Sequence, residues 1–154
     1  MDVATIFEFM PFANHLGIEV TEAADGHAAA RLTLDPALSS TPETLVAHGG
    51  VTSSLADTVA GAAVMSLYEM PTPTIDLRVD YLAPATTDLV AEAAVIRDGG
   101  SVAVATVEVR DVDGRHVADA RGVFKTGDPS DDTAWGTGSV ESLDADRLPS
   151  EAGR

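Results

Sequence analysis

The chain has 154 residues, 45% of them apolar, which fits one domain with a real core. Its formal charge is −16 and only one lysine, Lys125, stands among nine basic residues, which argues against nucleic acid and anionic membrane as partners, since both need clustered cations. There is no cysteine, so disulfides, thiolate nucleophiles and cysteine metal sites are excluded.

No apolar run is long enough to span a membrane, and the N-terminus has no basic segment ahead of its apolar part. A cytoplasmic location is the default expectation. The acid excess is spread along the chain and lysine is nearly lost, which reads as adaptation to a salty cytoplasm, where screening removes self-repulsion.

Val3, Ile6, Phe7 and Met10 recur at helical spacing, predicting one short helix over 2–12 that Pro11 ends. Phe12 to Gly17 reads as a connector holding Asn14 and His15. Strands follow at Gly17–Ala23 and Ala28–Leu34, a hairpin turning at Ala24-Asp25-Gly26. Residues 35–47 form a loop rich in Ser, Thr and Pro. From His48 to about Glu69 the chain reads as one long helix, roughly 30 Å in length, small and apolar on nearly every face except for Asp57. Met70-Pro71-Thr72-Pro73 breaks it. Strands then follow at Thr74–Leu82, Leu89–Arg97, Val102–Arg110 and His116–Lys125. In the first of these Ile75, Leu77, Val79 and Tyr81 alternate with Asp76, Arg78 and Asp80. Short turns join the last three into an antiparallel meander. The expected class is α+β, one antiparallel sheet wrapped round the central helix over residues 1–126. Residues 127–154 lose periodicity and predict a flexible acidic tail with Trp135 as its one large anchor.

Asp57 is the first candidate for chemistry. A carboxylate inside an apolar helix is costly unless paired or solvated. It fits a structural acid bonded to Ser53 or Ser54, and equally a general base or nucleophile lining a cavity. His48-Gly49-Gly50 opens the same helix, where free N–H groups and the helix dipole favour negative charge. That stretch suits either an oxyanion hole or a tight helix start. Gly49 and Asp57 lie roughly 80° apart round the helix and about 12 Å apart along it. They cannot serve one carbonyl from the same helix. If both act, a second subunit must bring its helix in antiparallel, so the expected partner is another copy, in a dimer or a dimer of dimers. No two His or acid residues have convincing metal-ligand spacing, and no metal or cofactor is implied.

The run HGGVTSSLADT, the later TIDLRVDYLAPA and the D-x-D-G turn at Asp111-Val112-Asp113-Gly114 resemble the hotdog-fold thioesterases of the PaaI-like type, in the 4-hydroxybenzoyl-CoA thioesterase superfamily. The resemblance runs from about Gly17 to Thr126. It implies an acyl-CoA substrate hydrolysed to a carboxylic acid and CoA, with no cofactor. By position, Asp57 would activate water or attack the thioester. The N–H of Gly49, with Gly50, would polarise the carbonyl. His48 would shape the helix start, and Thr74 would place a hydroxyl by the acid. Arg78 and Arg121 would meet CoA phosphates. Beside the resemblance, Phe9 and Phe12 read first as core packing and second as the mouth of an acyl pocket, which the small helix residues Ala60, Gly61 and Val64 would line; Thr41 and Ser54 are further candidates for substrate contact. The chain departs from the N-x-x-G-x-x-H-G-G pattern of that family. Pro42 stands at the Asn and Leu45 at the Gly, with Thr41, Glu43 and Thr44 as the nearest polar substitutes. The alternative is therefore a non-catalytic acyl-CoA-binding or structural hotdog dimer. A hydratase of this fold needs a His and an acid before the helix, and neither His15 nor His27 sits in such a motif.

Overall fold

The computed structural model describes residues 2–127. The predicted tail, with Trp135, lies outside them apart from Gly127.

The N-terminal segment forms two helices rather than one, α1 (Val3–Phe7) and α2 (Pro11–Leu16). Pro11 starts a helix instead of only ending one. It has no N–H to donate to the turn behind it, and its fixed φ suits the first turn ahead. The predicted connector at Phe12–Gly17 is thus mostly helical, and Gly17 closes it in the left-handed conformation at φ 74°. Val3, Ile6 and Phe7 are buried, whereas Phe9 and Phe12 are exposed.

Strands β1 (Ile18–Ala24) and β2 (His27–Leu32) form the expected hairpin. Asp25 and Gly26 both have positive φ, which matches the right-handed twist of a two-residue turn. A short 3₁₀ turn at Pro36–Leu38 begins the long loop. Helix α3 (Gly49–Tyr68) follows, then β3 (Thr74–Tyr81), β4 (Leu89–Asp98), β5 (Val102–Asp111) and β6 (His116–Lys125). All six strands join one antiparallel sheet in the order β1-β2-β4-β5-β6-β3. Strand β3 therefore crosses over to pair with β6 and forms an edge; β4, β5 and β6 are the meander.

The sheet holds α3 against one face. Leu55, Ala56, Val59, Ala60, Ala62, Ala63 and Val64 are 0% exposed, whereas Ser53, Ser54, Asp57, Thr58 and Gly61 are only half-buried. The helix is thus wrapped on one side and leaves a polar stripe on the other. Small side chains let backbone and sheet approach closely. At Gly122 a Cβ would lie 2.5 Å from the Phe124 ring, so only glycine lets that fully buried ring fold over its own strand.

Strand β3 carries a bulge. Thr74 partners Phe124 and Asp76 partners Val123, so Ile75 is the extra residue. The bulge turns strict alternation out of step by one. Ile75, expected on the apolar face, is 58% exposed. Leu77 and Val79 pack on the core, and Thr74 shares their side of the strand.

Candidate active site

Asp57 lies on the half-buried stripe of α3. Its Oδ1 accepts from the Thr74 hydroxyl at 2.9 Å. The β3 bulge is what brings that hydroxyl round to the helix side. Burial pushes the Asp57 carboxyl above its ordinary value of 3.8, and the Thr74 hydrogen bond pulls the other way. Among the described residues Asp57 forms no ion pair. Its charge is held by one hydroxyl and partial access to water. Ser53 and Ser54 do not hold it: both hydroxyls donate to the Gly50 carbonyl, at 3.1 and 2.6 Å. A helical serine reaches the carbonyl three or four residues behind it, and that local bond outcompetes the acid ahead.

The helix start is built by the preceding loop. His48 N donates to Leu38 O at 2.9 Å, and Ala47 N to Ala85 O at 2.8 Å. His48 is the N-cap, its Nδ1 accepting from Gly50 N at 2.9 Å. That bond places the ring proton of a neutral imidazole on Nε2. It also occupies the Gly50 N–H, so Gly50 is not the open donor that the sequence suggested. Among the described residues the Gly49 N–H has no acceptor. It is the amide left free at the positive end of the α3 dipole.

The other expected residues are dispersed. Thr41 lies in the exposed loop, where its hydroxyl donates to Thr44 O at 2.9 Å and accepts from Thr44 N at 3.2 Å. The polar group nearest the missing Asn is thus spent on its own turn. Gly61 sits on the Asp57 stripe, but its missing Cβ points at Phe124, 3.7 Å away. Ala60 and Val64 are fully buried, so they pack the core and do not line an open pocket. Arg78 is exposed, bonds to Asp80 at 3.2 Å, and stands opposite Arg121 across the β3–β6 pair.

Tyr81 is the residue that sequence reading missed. Its hydroxyl donates to Gly49 O at 2.9 Å and its ring covers Gly49 Cα. The signal was its place in the Y-L-x-P-A stretch, on the alternating face that meets the helix. The metal reading also passed over Glu108, His116 and Asp119, whose ligand atoms lie within 4.8 Å of one another on the outer sheet face. They meet across strands, which sequence spacing cannot reveal. Arg110 ties up Glu108 at 2.6 Å and holds its carboxyl below the usual range.

Among the described residues no helix is long and apolar enough to cross a membrane. Residues 46–118 match the thioesterase superfamily. The chain is 38% identical to a protein of Halobacterium salinarum that bears an esterase name, over 71% of this chain and 80% of that one. It is 30% identical to the medium/long-chain acyl-CoA thioesterase YigI of Salmonella typhimurium, over 77% and 86%. The solved PaaI protein of the Escherichia coli phenylacetic acid degradation operon superposes with a TM-score of 0.74 at 25% identity, covering 81% and 90%.

Proposed function

This chain belongs to the thioesterase superfamily and has its hotdog fold, and from that premise we propose that it hydrolyses an acyl-CoA thioester with Asp57 as general base or nucleophile. As base, the carboxylate takes a proton from water, and the hydroxide adds to the thioester carbon. As nucleophile, it adds directly and forms a mixed anhydride that water then opens. In either route the C–S bond breaks, the thiolate leaves as CoA and takes up a proton, and the acid is released.

The observation that carries this reading is the Asp57–Thr74 pair. Asp57 is the one acid of α3, with a hydroxyl 2.9 Å away and, among the described residues, no ion pair to neutralise it. A burial-raised carboxyl is a better base than a solvated one. The free Gly49 N–H supplies the oxyanion donor. The two lie too far apart on one helix to share a carbonyl, so the site is built between two copies, Asp57 of one facing Gly49 of the other. The β3 edge, whose outer backbone groups have no strand partner among the described residues, gives a second copy a place to join. Arg78 beside Arg121 offers paired guanidinium groups to CoA phosphates. The −16 charge supports work in a salt-rich cytoplasm, where that anionic ligand is less strongly repelled.

The test is release of free CoA from short, medium, long and aromatic acyl-CoAs in high potassium chloride, for wild type and Asp57→Asn. Turnover that disappears in a variant of unchanged oligomeric state supports the reading. No turnover in a folded dimer would transfer the assignment to the binding dimer. The observation favouring that second reading is Pro42 at the usual Asn, with Thr41 committed to its own loop.

A further inference from the structure

The start of α3 is held by a side chain from a distant strand. Two consecutive glycines at a helix start are the loosest backbone on the helix, since the first turn lacks intrahelical partners and glycine restricts φ and ψ least. Tyr81, the last residue of β3, leans on this point. Its hydroxyl donates to the Gly49 carbonyl at 2.9 Å, and three of its atoms lie 3.4–3.5 Å from where a Gly49 Cβ would stand. The Gly49 carbonyl and the Gly50 N–H belong to one peptide plane. That N–H donates to His48 Nδ1 at 2.9 Å. The plane is therefore clamped at both ends, a phenol on its oxygen and an imidazole on its nitrogen. Hydrogen bonds in series polarise and stiffen one another.

Burial does not explain the tyrosine, which is 56% exposed. Apolar packing alone would be served by phenylalanine. What the hydroxyl adds is a fixed peptide immediately beyond the Gly49 Cα, and the ring closes the other side of that Cα. The Gly49 N–H itself belongs to the preceding His48–Gly49 peptide, whose carbonyl accepts from Val51 N at 2.8 Å, so with the next peptide clamped the planes on both sides of the Gly49 Cα are held.

We propose that Tyr81 is a positioning residue, which aims the Gly49 N–H at the thioester oxygen by holding the Gly49–Gly50 peptide in place. This rests on the reading of Gly49 as the oxyanion donor. Tyr81 itself does not enter the reaction. Its contribution is geometric, and misplacement of a catalytic group by about 1 Å can cost on the order of a hundredfold in rate.

Tyr81→Phe and Tyr81→Ala, made in the full chain, are compared with wild type by steady-state CoA release, thermal melting and nitrogen-15 NMR of the Gly49 and Gly50 amides and the His48 ring. The donor acts on the transition state, so Tyr81→Phe is expected to lower kcat about tenfold, with KM within about twofold and an unchanged melting temperature. The Gly50 amide and His48 Nδ1 signals should move with it. Tyr81→Ala should lose at least as much kcat. A Tyr81→Phe enzyme with wild-type kcat overturns the proposal, as does one in which only KM rises, because the side chain then touches substrate instead. Unmoved NMR signals also overturn it, whatever the turnover. Signals that move in a protein whose wild type cleaves no thioester leave the clamp standing and sink the thioesterase reading instead.

Discussion

Replacing Thr74 with valine removes one hydroxyl and almost nothing else. The two side chains have nearly the same shape, and Thr74 is exposed, so packing changes little. What is lost is the hydrogen bond to Asp57 Oδ1. That bond favours the ionised carboxyl and partly offsets the burial that disfavours it. Without it, Asp57 should hold its proton to a higher pH. A hydrogen bond to a charged group contributes about 1.5–3 kcal/mol, and the low end applies to this half-buried pair. On the acid limb of the pH–rate profile that is about a tenfold fall in kcat/KM. On the plateau, where the carboxyl is ionised in both proteins, the fall should be small. The assay is kcat/KM for one acyl-CoA from acid to neutral pH, with Thr74→Ser as the variant that restores the hydroxyl. An acid limb that moves down, or an equal loss at every pH, refutes an ionisation role for Thr74. It would leave the hydroxyl acting on the position of water or substrate.

The same carboxyl gives a stability prediction of opposite sign to its catalytic one. Burial raises Asp57 in the folded state above 3.8, so the native protein binds more protons than the unfolded chain just above that pH, and stability falls as pH rises through the folded value. Asp57→Asn should therefore melt higher than wild type at neutral pH, where each 1 kcal/mol is worth about 2–4 °C in a chain of this size. That gain should vanish below the ordinary carboxyl value; a lower melting temperature at pH 7 contradicts burial as the dominant cause. Gly122→Ala places a Cβ 2.5 Å from the ring of Phe124, which is 1% exposed and cannot move aside, and should cost about 1–3 kcal/mol in chemical denaturation. Gly61→Ala meets Phe124 at an ordinary 3.7 Å and should gain about 0.5–1 kcal/mol from helix propensity; a rise in KM confined to bulky acyl groups would restore Gly61 to the acyl pocket. With a charge of −16, the fold should gain melting temperature steadily as potassium chloride is raised to about 2 M, and a flat or falling response removes the salt-adaptation reading.

Features that depend on periodicity were legible in the sequence. Helix α3 occupies Gly49–Tyr68 against an expected 48–69, and the strands lie within a residue or two of their predicted bounds. Features that depend on what lies across space were not. Nothing local says that β3 pairs with β6, because the order of strands is decided by how the sheet closes over α3. Nothing local says that Ser54 prefers the Gly50 carbonyl to Asp57, or that Gly61 faces Phe124. Pro11 carries two opposite meanings in the same helical pattern, a stop for the turn behind and a start for the turn ahead.

Thr74 shows most clearly where pattern and chemistry part. Strict alternation groups it with Asp76, Arg78 and Asp80, away from the helix, and only the family resemblance put it beside the acid. The bulge at Ile75 reconciles the two. An interior strand resists such an insertion, because an extra residue disrupts ladders on both sides. Strand β3 is an edge, paired only with β6 among the described residues, so the insertion disturbs one ladder. It exposes Ile75 and in return turns Thr74 onto Asp57. Beyond the bulge the alternation resumes with Leu77 and Val79 inward and ends at Tyr81, whose hydroxyl reaches Gly49. One strand thus contacts both groups proposed for the chemistry, the acid at its first residue and the helix start at its last. A change in its register would move both contacts together.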